Sequence, residues 1–224
     1  MYSIEELKQI YENRYNDSRI ENGSREVILY KKYRKLLDPL RHEETSKSLD
    51  IGCGMGYKTI GFNKDEEVLA IDISENAIKY CQTEHQRNLF QFKCMDAFQV
   101  MGKYKLITAF GFSFFNTSNS KRFIEMFEHF YLNNLLNKKG SVMIIGSFTD
   151  FSGQGEDTWY LHTRDDLEAI VHQLESKFSV KVEIVFPHKK ILNYFGWGIY
   201  NFVAESMKLI IKRKRTFFIR IEHE

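Results

Sequence analysis

Short apolar runs alternate with helical spacings along most of the chain. Lys47–Ile51, Val68–Asp72 and Tyr104–Gly111 read as buried strands, Leu89–Cys94 alternates as another, and Ser141–Ile145 is unbroken, as in a sheet covered on both faces. Between them, apolar residues recur three and four apart. The capping box Ser3-x-x-Glu6 starts a helix over Ile4 to about Tyr15, and a second runs from Ser24 to about Leu37 before Pro39. A short helix follows from Tyr57 to about Phe62, and Ser74 caps one reaching Glu84. Ser118–Asn119 opens a longer one, to about Leu136, ended by Lys138-Lys139-Gly140. Thr163-x-x-Asp166 starts the last helix, with Leu167, Ile170, Val171 and Leu174 on its core face; Ser179–Phe186 and Phe217–Ile221 are the closing strands. Strand–helix alternation of this kind predicts an α/β fold with a doubly wound, mostly parallel seven-stranded sheet. The length of 224 residues suits a single domain over 1–224, with 1–40 as an N-terminal helical cap and 188–212 as an aromatic and basic insert between the last two strands.

The first strand runs into Asp50-Ile51-Gly52-Cys53-Gly54-Met55-Gly56. Glycines at alternate positions let a backbone turn sharply and let a ligand approach it. The second strand ends in Asp72, sixteen residues past Gly56, where a carboxylate can accept hydrogen bonds from a ribose diol. Nicotinamide folds seat a pyrophosphate on such a turn. Here an acid precedes the first glycine, which would repel a pyrophosphate and suits a cationic group. At these residues the sequence resembles the class I S-adenosylmethionine-dependent methyltransferases, over about Asp50 to Ile145. The resemblance implies an antiparallel last strand and N-terminal helices over the cofactor site. It implies S-adenosyl-L-methionine as cofactor and S-adenosyl-L-homocysteine as product. It places Asp50, Gly52, Cys53 and Gly54 at the cofactor, Asp72 and Ile73 at its ribose, Asp96 and Ala97 near its adenine, and Phe110 at the end of the fourth strand, with Tyr15 above them. The family joins its last two strands by a short turn; here about 25 residues intervene.

Composition narrows the partners. Lys+Arg 32 against Asp+Glu 30 gives a net charge of +2, which argues against nucleic-acid binding by bulk charge. Residues 188–224 hold eight Lys/Arg and three acids, so the basic character is local; Lys208 to Arg215 is a solvated end or a contact for an anionic surface. Aromatics make up 15%, with 19 Phe and 12 Tyr, enough to line a site as well as a core. Cys53, Cys81 and Cys94 form no C-x-x-C pair; with an acidic start Met1-Tyr2-Ser3-Ile4-Glu5-Glu6 and no apolar run of about 18 residues, they suit a cytoplasmic protein.

Methyl transfer from a sulfonium needs mainly position: the acceptor atom must sit about 3–3.5 Å from the methyl, in line with the leaving sulfur. A hydroxyl acceptor needs a base and a neutral amine does not. The Asn/Asp-Pro-Pro-Tyr signature of base-amine methyltransferases is absent, as are a Pro-Cys pair and paired acids for a metal; Phe115-Asn116-Thr117-Ser118 lies in the matching place without proline. Phe112, Ser113 and Asn116 follow the fourth strand and are the candidate acceptor contacts, with Tyr11, Trp159, Tyr160 and Trp197. His162 is the first candidate general base, its alternative a histidine that closes a loop; His188 is second. The function expected is methyl transfer to an oxygen or nitrogen of a small sugar-like, nucleotide-linked or secondary metabolite. The alternatives are a protein or peptide methyltransferase with an open groove, a silent cofactor-binding module and, more distantly, a nicotinamide oxidoreductase.

Overall fold

The apolar runs pair side by side because each has two apolar faces to cover. In a computed structural model of the protein, residues 3–16, 34, 37, 47–133, 135–148, 160–185 and 215–224 are described. They form a seven-stranded sheet: β1 (Lys47–Ile51), β2 (Glu67–Asp72), β3 (Phe90–Cys94), β4 (Tyr104–Phe110), β5 (Leu136–Phe148), β6 (Val180–Val185) and β7 (Arg215–His223), in the order β3-β2-β1-β4-β5-β7-β6. The pairs among β1 to β5 are parallel, and β7 runs antiparallel to both β5 and β6. The strand order reverses between β1 and β4, so both strands end at one crevice, the place where open α/β sheets bind ligands.

The helices are α1 (Ile4–Asn16), α2 (Glu75–Glu84), α3 (Ser120–Leu132) and α4 (Arg164–Lys177); Arg34 and Leu37 are also helical. One face of the sheet, with Leu49, Ile51, Ile71 and Ile107, shares a core with Phe123, Phe127 and Phe130 of α3 and Leu167, Ile170 and Leu174 of α4. The other face, with Val68, Ala70, Leu106 and Ile145, packs with Ile78 and Cys81 of α2 and with Leu37. Burying one such ring or branched chain stabilises the fold by about 1.5–3 kcal/mol. Caps fix where helices begin. The Ser74 hydroxyl accepts from the Ala77 N–H, and Thr163 and Asp166 form a reciprocal capping box.

Two helices differ from the sequence pattern, and β5 runs longer at both ends than the expected Ser141–Ile145. The helix opened by Ser118–Asn119 was expected to reach about Leu136 and stop at Lys138-Lys139-Gly140, but α3 ends at Leu132. Leu135 and Leu136 leave the helix because both are buried, and the Leu135 carbonyl accepts the Tyr104 N–H at 2.7 Å. Lys139, at φ 59°, lies instead inside β5, where the pairing with β4 shifts register between Tyr104 and Leu106. The short helix expected over Tyr57 to Phe62 is a single 3₁₀ turn, Thr59–Gly61. Gly61 is a poor helix former, and buried Phe62 turns the chain into the core. The helix read over 24–37 lies outside the described residues except at positions 34 and 37. The 188–212 insert lies wholly outside them.

Candidate functional site

β1 delivers the glycine turn to the crevice. Gly52 and Gly54 take φ of 66° and 53°, left-handed values that a side chain disfavours. A Cβ on Gly54 would stand 2.6 Å from the Tyr15 hydroxyl, and one on Gly52 would stand 3.0 Å from Cδ2 of Phe112. The turn is therefore bare backbone flanked by two rings. Cys53 ties it to β2 by donating its N–H to the Ile71 carbonyl at 3.0 Å. Asp72 then fixes its far side: Oδ2 accepts the Gly54 N–H at 2.9 Å and Oδ1 the Ser74 N–H at 3.0 Å. Burial holds the Asp72 carboxyl above its usual pKa, against the pull of those two bonds.

Asp50 lies beneath the turn, fully buried. Its Oδ2 accepts from the Thr59 hydroxyl at 2.6 Å and its Oδ1 from the Thr108 hydroxyl at 2.8 Å. Its carboxylate thus braces the 3₁₀ turn against β4, with a pKa raised by burial. Lys58, between them, stands with its ammonium 4.2 Å over the Phe110 ring; burial lowers its pKa while Asp50 and Asp72 favour its charge. Asp96 caps the 3₁₀ turn Ala97–Gln99 by accepting the Phe98 N–H at 3.0 Å, beside buried Ala97. Ile73 follows Asp72, and its carbonyl accepts from Cys94 Sγ at 3.5 Å.

α1 lies across this edge. Tyr11 and Tyr15 stack, ring centroids 6.4 Å apart. The hydroxyls of Tyr11 and Ser113 are 2.6 Å apart, joining α1 to the segment after β4. One turn-fraction further, Glu12 Oε2 accepts from the Ser74 hydroxyl at 3.0 Å and from the Asn76 N–H at 3.3 Å, and Oε1 accepts the Glu75 N–H at 2.5 Å. Glu12 so fills the N-terminus of α2, where N–H groups lack helical partners. Burial would raise its pKa, but the bonds win and hold it low.

After β4 the chain turns through Gly111 into an aromatic ladder. Phe112 stacks on Phe114 at 5.3 Å and meets Phe115 edge-on at 5.9 Å, and the Arg122 guanidinium lies 4.2 Å over Phe114. Asn116 is pinned by its backbone: its N–H donates to the Ser113 carbonyl at 3.2 Å, and its own carbonyl accepts the Tyr160 N–H at 2.9 Å. Its side chain is 1% exposed, and neither Oδ1 nor Nδ2 has a hydrogen-bond partner. Each buried polar group left unpaired costs about 1–3 kcal/mol.

His162 packs against the segment after β4. It is 1% exposed, its Nε2 donates to the Phe115 carbonyl at 3.0 Å, and Tyr160, Phe123 and Phe217 enclose its ring edge-on at 5.2–6.4 Å. Burial lowers its pKa. Through Nε2 the imidazole ties the segment before α4 to the one after β4, and Nδ1 is the ring nitrogen left to take a proton. Tyr160 stands beside it and donates its hydroxyl to Asp166 at 3.2 Å. Trp159, Trp197 and His188 lie outside the described residues. Sequence reasoning missed Thr59, Thr108, Lys58 and Glu12. The only signal for them was position: Thr59 and Lys58 follow the glycines directly, and Glu12 adjoins Tyr11.

A glycine turn after β1, an acid at the end of β2 and this strand order together define a Rossmann-like, ligand-binding α/β class. The profile of the family described as "Methyltransferase domain" matches residues 42–198. The chain belongs to this methyltransferase-domain family. Solved structures share the fold. One is the plantazolicin methyltransferase BpumL in complex with a monoazolic desmethylPZN analogue and S-adenosylhomocysteine (17% identity, 98% of this chain and 91% of that one, TM-score 0.62). Another is the magnesium protoporphyrin IX methyltransferase ChlM of Synechocystis PCC 6803, with bound S-adenosylhomocysteine (13%, 97% and 98%, 0.58). A third is the phosphoethanolamine N-methyltransferase 2 of Haemonchus contortus, of which the match covers 52% against 86% of this chain (15%, TM-score 0.57). No curated protein matches the chain. Among the described residues no helix is long and apolar enough to cross a membrane.

Proposed function

We propose that the protein transfers a methyl group from S-adenosyl-L-methionine to an oxygen or nitrogen of a small acceptor. The observation that carries this is the glycine turn closed on Asp72. Backbone at Gly52 and Gly54 that only glycine suits, next to a carboxylate held by the turn's own N–H, fits the ribose and amino acid ends of that cofactor. When bound, the cofactor supplies a methyl on a positively charged sulfur. The chain supplies position. Asp72 offers its remaining lone pairs to a ribose diol, Ile73, Asp96 and Ala97 border the adenine side, and Phe110, Cys53 and Tyr15 border the rest. Asp50 acts on this site through Thr59 and Thr108, by holding the turn. Phe112, Ser113, Asn116, Tyr11 and Tyr160 form the acceptor wall, with Trp159 and Trp197 assigned there from the sequence.

A small acceptor is favoured over a protein because α1 lies over the edge, tied at Ser113 and Ser74, where a peptide would need an open groove. We read the compartment as the cytoplasm, since Cys53, Cys81 and Cys94 are free thiols. Calorimetric titration with S-adenosylhomocysteine tests the reading. The expected result is micromolar binding that falls about 10- to 100-fold in Asp72→Ala, the loss of a charged group's hydrogen bonds, with NADH not bound. Binding of NADH alone would overturn it.

A further inference from the structure

We propose that Cys53 and Cys81 form a thiol–disulfide switch on the glycine turn, through which a hydroperoxide weakens cofactor binding; this rests on the methyl-transfer reading above. Both thiols are buried and free. Cys53 belongs to the turn and Cys81 to the buried face of α2, yet their sulfurs converge on one atom. The Gly54 carbonyl oxygen accepts from Cys53 Sγ at 3.5 Å and from Cys81 Sγ at 3.2 Å. The two thiols are also within hydrogen-bonding reach of each other. Among the described residues no other group donates to that carbonyl. Cys81 Sγ stands 2.9 Å from where a Cβ on Gly56 would be, so it packs directly on the backbone of the turn. His85, which caps the end of α2, fastens the same turn a second time: its Nε2 is 2.9 Å from the Met55 carbonyl oxygen.

The oxidation proceeds in two steps. The Cys53 thiolate attacks one oxygen of the hydroperoxide; an S–O bond forms, the O–O bond breaks, and the other oxygen leaves with a proton as an alcohol or water. Cys81 then attacks the sulfenic sulfur; the S–S bond forms and the oxygen leaves as water with the remaining protons. Two thiols give up two electrons and two hydrogens, and the hydroperoxide takes them. Burial pushes the Cys53 thiol above its usual range, so thiolate is scarce and the pair answers sustained rather than trace oxidant. Both S–H donors vanish together in the product. The Gly54 carbonyl loses the two bonds that hold it, and a buried carbonyl without a partner drives its peptide to turn. The N–H of the same residue is the one that Asp72 accepts, so the disturbance reaches the cofactor carboxylate directly. In a reducing compartment such a bond is a transient, sensing one.

The test uses the intact protein, Cys81→Ser and Cys94→Ser. Each is treated with hydrogen peroxide, its thiols are mapped by peptide mass spectrometry, and S-adenosylhomocysteine is titrated by calorimetry before and after. In the parent, peroxide should link Cys53 to Cys81 and weaken binding about 10-fold, the loss of one to two hydrogen bonds, and dithiothreitol should restore it. Cys94→Ser lacks the exposed thiol and should respond as the parent does. Cys81→Ser keeps a hydroxyl donor for the Gly54 carbonyl and should bind alike before and after peroxide; Cys81→Ala takes its place if the serine variant does not fold. No Cys53–Cys81 link, a link that leaves affinity unchanged, or an equal loss of affinity in the Cys81 variants would each overturn the inference. If the reduced parent does not bind S-adenosylhomocysteine at all, the methyl-transfer reading falls and the regulatory role falls with it, whether or not the link forms.

Discussion

At the scale of single residues, the site works by committing polar atoms in advance. Asp72 spends one lone pair on each oxygen to hold the turn. Asp50 spends both oxygens on threonines and faces no opening. The two acids thus differ in role although both stand at strand ends, and no spacing in the sequence separates them. The partners of Asp50, at positions 59 and 108, come from two elements that only the fold brings together. His162 carries a pH consequence. Burial holds its pKa below 6.5, so the folded protein keeps it neutral while the unfolded chain takes up a proton. Unfolding is therefore favoured as pH falls from 6.5 toward the lowered value, and stability is regained on raising the pH. Replacing His162 by Gln, which retains an N–H donor for the Phe115 carbonyl, should flatten that part of the profile. Urea midpoints on either side of pH 6.5 measure it; an unchanged slope in the variant would show that another group titrates there.

At the scale of elements, α1 is held by few but specific bonds. Only Leu7 of its described side chains is fully buried, while Tyr11 and Glu12 make the ties to the crevice. Tyr11→Phe and Glu12→Gln should each speed amide exchange across residues 4–16, about 5-fold for the loss of one ordinary hydrogen bond, with the sheet unaffected. Mass-spectrometric exchange reads both at once. The same scale shows what pattern recognition can and cannot reach. Periodicity placed α2 and α4 well because caps at Ser74 and Thr163 are local chemistry. It overran the end of α3, because Leu135 and Leu136 continue an apolar helical face in sequence while their burial beside Tyr104 is decided by β4. The glycine turn and Asp72 were visible as a motif. The unpaired amide of Asn116 was not, since lacking a partner is a property of the folded surroundings.

At the scale of the whole molecule, one face of the sheet dominates stability. Phe123, Phe127 and Phe130 of α3 are fully buried against β-strand side chains and α4. Phe127→Ala should cost about 3–5 kcal/mol and lower the melting temperature by roughly 10 °C, as read by calorimetry; a change below about 1 kcal/mol would mean that the core closes over the gap. The crevice lies at the carboxyl edge of that sheet, and a single helix is fastened to both of its walls, through Ser113 on one side and Ser74 on the other. A fastening shared by two walls links whatever occupies them. A molecule that releases the helix at one wall lowers the work of entry at the other, and by reciprocity the second guest tightens the first to the same degree. Cofactor and acceptor would then bind as a thermodynamic pair, each reporting the other's presence in its own affinity.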